Sequence, residues 1–88
     1  MGFTAKSIEF VSQSDARAKV LAILSGSART PTEIARLESK HVSHVSRTIR
    51  ELEAQGLVEV AWSESRERHY RTTKSGHALL LTLSQHTK

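Results

Sequence analysis

No cysteine occurs among the 88 residues. That excludes disulfide staples and any zinc or iron–sulfur site held by thiolates, and it fits a reducing compartment. Proline occurs once, at Pro31, and glycine four times, so there is no linker rich in either and no low-complexity tract. Aromatic residues are 5% of the chain, with one tryptophan and one tyrosine. That is too few for a stacking platform that binds single-stranded nucleic acid. No apolar run approaches the roughly 20 residues of a membrane span; Ala78–Leu81, for example, is broken at Thr82. Residues Met1–Lys6 offer no apolar signal-peptide region, and the expected location is cytoplasmic. What is present describes one folded domain over residues 1–88, with 38% hydrophobic and 25% charged residues. A domain this small buries only about 60–65% of its unfolded surface, so its core must be compact. The 13 Lys+Arg against 9 Asp+Glu give a net charge of +4, which admits a nucleic-acid partner without establishing one.

The pattern along the chain is helices, then a hairpin, then a helix, in an α+β domain that is mainly α. Residues 3–12 suit a short helix or an edge strand, with helix favoured. A clearer helix starts near Ser14, where Ser12-Gln13-Ser14-Asp15 offers caps. Ala16, Val20, Ile23 and Leu24 recur at helical spacing, and Gly26 is expected to supply a left-handed stop. Thr30-Pro31-Thr32-Glu33 is a capping box with proline at the first helical position. Its helix should present Ile34 and Leu37 as an apolar edge and end near Ser39. A third helix starts between His41 and Ser43 and ends at Gln55, with Gly56 as its stop. Val45, Ile49 and Leu52 form its buried stripe. The period then changes to 2. Leu57, Val58, Val60 and Trp62 read as a strand, Ser63–Arg68 as a polar loop, and His69–Thr72 as the returning strand. Trp62 is expected to face Tyr70 across the pair. Thr73 can cap a last helix over about 73–85, with Gly76 as a weak spot in its first turn.

Two short helices joined by a tight turn make a helix-turn-helix, here over about 30–56. The second helix needs one stripe to dock and an opposite face free for a DNA groove. At about 100° per residue, the face opposite Val45/Ile49/Leu52 carries Ser43, Arg47 and Arg50, flanked by His44 and Ser46. No acid stands between Glu38 and Glu51. Arginine can donate two parallel hydrogen bonds to guanine, each such pairing discriminating by about 1–3 kcal/mol. Arg66 and Arg68 bracket the hairpin tip, with Arg71 on the returning strand, and can lie along the backbone or in a narrow minor groove. Thr30 and Thr32 can direct donors to a phosphate.

The residues Ile34-Ala35, Ser43–Val58 and Arg68–Gly76 together resemble a winged helix-turn-helix transcription regulator. The broad group includes the multiple-antibiotic-resistance and arsenic-resistance repressors, and the pattern is most similar to small single-domain regulators of archaea. The resemblance covers residues 14–83. It implies a homodimer on a pseudo-palindromic operator of double-stranded DNA, with Arg47 and its neighbours in the major groove and the hairpin (about 57–72) as the wing. Ser39 replaces the glycine often found in the turn, and Lys40 and Glu38 stand where many relatives place apolar residues. Val42 is the candidate substitute anchor, and the helix cap is either His41 or Ser43.

Other readings weigh less. His41 and His44 are spaced to share a helix face, yet no Cys, Asp or Glu stands nearby to complete a metal site, and none is expected. No nucleophile, base and orienting group stand in a known order, so neither an enzyme nor a cofactor is expected, and no small-molecule ligand is evident. The leucines of the last helix can complete the monomer core or form a dimer seam; Leu79, Leu80 and Leu83 are expected to form the seam, joined by residues 3–11 of the partner. The alternative to a DNA reader is a winged-helix protein-interaction module with only non-specific DNA affinity.

Overall fold

A computed structural model describes residues 3–86, with side chains through residue 85. The elements are α1 (Ala5–Ser12), α2 (Asp15–Gly26), α3 (Pro31–Glu38), α4 (Val42–Ala54), β1 (Val58–Glu64), β2 (Glu67–Thr72) and α5 (Lys74–His86). This is a winged helix, mostly helical, with one two-stranded antiparallel hairpin.

Local chemistry explains most of the starts and stops. Thr4 caps α1 by accepting from the Ser7 amide at 3.2 Å, which settles this segment as a helix over Ala5–Ser12, and Val11 anchors it in the core. Ser14 caps α2 by accepting from the Arg17 amide. In α3 the capping box is complete: the Glu33 amide donates to Thr30 Oγ1 at 3.1 Å, and the Thr30 amide donates to Glu33 Oε1 at 3.0 Å. Ser39 ends α3 in the left-handed region at φ 55°, and the Lys40 amide closes back on the Ala35 carbonyl at 2.9 Å. His41 is the residue before α4 and makes no side-chain cap. Gly56 ends α4 at φ 72°.

The structure corrects several expectations. Gly26 is the last residue of α2 and is not left-handed; Ser27 leaves it fully extended at φ −167°. An extended exit carries the chain to Arg29, whose backbone pairs antiparallel with Tyr70. Leu37 is 56% exposed, so the buried edge of α3 is Ile34 with Ala35. Residues Ser63, Glu64, Glu67 and Arg68 belong to the ladder, and only Ser65 and Arg66 form the turn. Both have positive φ (48° and 72°), the backbone of a type I′ hairpin. A bulge between Val60 and Trp62 shifts the register, so Tyr70 pairs with Val60 and Trp62 pairs with His69. Tyr70 is buried, while Trp62 is 49% exposed and stacks on the His69 ring at 4.5 Å. Gly76 is not a weak spot. It lies buried where α5 crosses the start of β1, and a Cβ there would strike the Leu57 carbonyl oxygen.

The core gathers Val20, Leu21 and Leu24 of α2, Ile34 of α3, Val45, Ile49 and Leu52 of α4, Leu57 and Val58, Tyr70, and Leu79 of α5. Leu79 is therefore taken up by the chain's own core and is withdrawn from the expected dimer seam. Within the chain α1 packs on α2 and α5. Arg17 ties three helices together: its guanidinium donates to the Phe10 carbonyl at 2.8 Å and to Glu51 Oε1 at 3.2 Å while lying over the Phe10 ring.

Candidate nucleic-acid interface

The docked stripe of α4 is buried, as the spacing predicts, and buried Thr48 satisfies its hydroxyl on the His44 carbonyl. That fixes the helix's rotation about its own axis. Ser43, His44, Arg47 and Arg50 are exposed, and Ser46 is half-buried. Among the described residues ion pairs occupy Arg17 (to Glu51) and Arg71 (to Glu59). Arg47, Arg50, Arg66 and Arg68 carry none, so their guanidinium groups are uncommitted within the chain. Arg71 is not: it spans the two strands of the wing to Glu59 at 2.9 Å.

A groove of about 290 Å³ joins three elements: Thr30, Pro31 and Thr32 at the start of α3, Val42 and Ser46 on α4, and Arg66, Glu67, Arg68 and Tyr70 on the wing. Six residues named from sequence separate into two groups. Thr32, Ser46, Arg66 and Arg68 meet around this groove, whereas Arg47 and Arg50 stand on the outward face of α4 beside it. Ser43 shares that outward face. His44 turns toward α2, where it borders a small pocket with Asp15, Lys19, Glu38 and Lys40. Thr30 corrects the sequence expectation. It is 2% exposed and its hydroxyl and amide both serve the capping box, so it shapes the helix start and leaves Thr32 to face solvent. Val42 is the residue the sequence misplaced. Expected as an apolar anchor, it is 45% exposed on the groove wall. Its spacing of three from Val45 and seven from Ile49 placed it beside the buried stripe, so periodicity gave no signal of this. Among the described residues no three His, Cys, Asp or Glu side chains converge as a metal site.

A family model described as the HVO_A0261 N-terminal domain matches residues 5–87. The chain belongs to the HVO_A0261 N-terminal domain family. No curated protein matches it. Among solved structures it is similar to wild-type MarR of E. coli in its apo form, at TM-score 0.77 and 24% identity over 88% of this chain and 62% of that one. A MepR mutant of S. aureus bound to an oligodeoxyribonucleotide gives 0.78 and 20% over 91% and 62%. A double mutant of Lactococcus lactis ZitR gives 0.76 and 16% over 83% and 51%. The likeness shows that this HVO_A0261 N-terminal domain has the winged-helix fold of MarR-like regulators. The chain spans about half to three-fifths of the length of these structures. Among the described residues no helix is long and apolar enough to cross a membrane.

Proposed function

We propose that the chain is a transcription regulator that binds double-stranded DNA sequence-specifically, with α4 in the major groove and the wing on the backbone or in the minor groove. The observation that carries this reading is the uncommitted, acid-free outward face of α4, continuous with the groove between α3 and the wing. Ser43, Ser46, Arg47 and Arg50 supply donors to base edges, His44 standing on the flank toward α2; Thr32, Arg66 and Arg68 supply donors to phosphates. That the similar MepR mutant is bound to an oligodeoxyribonucleotide supports DNA as the partner. The reading invokes no cofactor and assumes a cytoplasmic location.

The reading includes a homodimer, one half-site per subunit. With Leu79 committed to the core, the seam falls to the outer side of α5. There Leu81 is 53% exposed, and it borders a shallow groove with Thr73, His77 and Ala78. Leu80 and Leu83 lie half-buried on the same helix. Selection of bound duplexes from a random pool tests both parts. The expected motif is two-fold symmetric, with half-sites about 34 Å apart. A pool that shows no enrichment would contradict specific binding, and an asymmetric single site would contradict the dimer.

A further inference from the structure

We propose that Val42 reads the C5-methyl group of a thymine in the major groove, setting base preference beside the position read by Arg47. The inference rests on the DNA-binding mode above. Val42 is the first residue of α4, and the leading turn of a recognition helix is the part that meets base edges. Its side chain has no task in the core, which Ile34, Val45 and Ile49 fill without it. It lies instead on the wall of the groove, whose lining also includes Pro31, Thr32, Ser46, Arg66, Glu67 and Arg68. An isopropyl group in that setting has no polar use. The only apolar group that B-DNA displays in the major groove is the thymine methyl. Contact between the two removes apolar surface of both from water.

The spacing makes the inference specific. Val42 and Ser46 are four residues apart and share one edge of α4, while Ser43 and Arg47 share the next. From Val42 to Arg47 the helix rises about 7.5 Å, which is about two base steps at 3.4 Å each. The thymine should therefore lie within two base pairs of the base pair read by Arg47.

The test uses the full chain and the duplex it selects from a random pool. Each thymine is replaced singly by deoxyuridine, which removes only the methyl group, and affinity is measured for the wild type, Val42→Ala and Arg47→Ala. Alanine at an exposed helix start leaves the fold intact, and a circular dichroism melt checks this. In the wild type one thymine per half-site should lose about fourfold in affinity on replacement, the value of one methyl returned to water. That thymine should lie within two base pairs of the position where Arg47→Ala relaxes base preference. In Val42→Ala the penalty should vanish. A penalty that persists unchanged in Val42→Ala overturns the inference, as does a selected duplex in which no thymine methyl matters. If no duplex is selected at all, the proposed function falls and this inference with it.

Discussion

Arg66 and Ser65 hold the hairpin tip in the left-handed region, where a side chain costs roughly 1–2 kcal/mol per residue and glycine costs nothing. Strain of this kind is tolerated where the side chain has a use. Arg66→Gly should therefore raise the midpoint of thermal unfolding while weakening DNA binding. A variant that gained stability and kept full affinity would remove Arg66 from the interface. Gly76 shows the opposite demand. Gly76→Ala drives a methyl into the Leu57 carbonyl, and overpacking of that sort should cost about 1–3 kcal/mol in urea unfolding. An unchanged midpoint would mean that α5 can slide clear of β1. Residues whose roles are local were legible in the sequence. The capping box, the Ser14 cap and the Gly56 stop each depend on neighbours within a few positions. Gly76, Leu37 and Thr30 were misjudged because their roles depend on a contact or a depth that only the assembled fold creates.

In the proposed reading α4 and the wing have different tasks, one on base edges and one on the backbone. The buried stripe of α4 fixes which residues face outward, and its period was visible in the sequence because Val45, Ile49 and Leu52 repeat without interruption. The wing was read less well. One extra residue between Val60 and Trp62 moved Trp62 away from Tyr70 and onto His69, and nothing in the residue types marks that bulge. Arg47→Ala should cost about 1–3 kcal/mol in affinity and relax preference at one base pair. Arg68→Ala on the wing should weaken all duplexes alike and lower the salt slope by about one unit. Equal behaviour of the two variants on selected and unrelated duplexes would erase this division. Trp62, the only tryptophan, sits half-exposed on the wing, so its fluorescence reports wing engagement directly.

Over the whole molecule the net charge of +4 is unevenly placed. Residues 29–50 hold Arg29, Arg36, Lys40, Arg47 and Arg50 against Glu33 and Glu38, a balance of +3. The positive charge thus gathers at α3 and α4, where the proposed function would use it to steer the chain toward phosphates. On the far side, α5 carries the exposed Leu81, and Leu81→Glu should convert a dimer to a monomer in sedimentation while leaving the fold's melting transition in place. The winged-helix order of elements is legible along the chain; which leucines of α5 stay at the surface is not, because they serve the core and the surface from adjacent positions.

In the proposed function α4 reads base sequence. Equilibrium binding of the chain to its selected duplex and to a scrambled duplex of the same composition, at physiological salt, tests it most directly. The expected preference for the selected duplex is about a thousandfold or more, and it should shrink sharply in Arg47→Ala. Equal affinity for the two duplexes would contradict the claim and leave only non-specific attraction to phosphates.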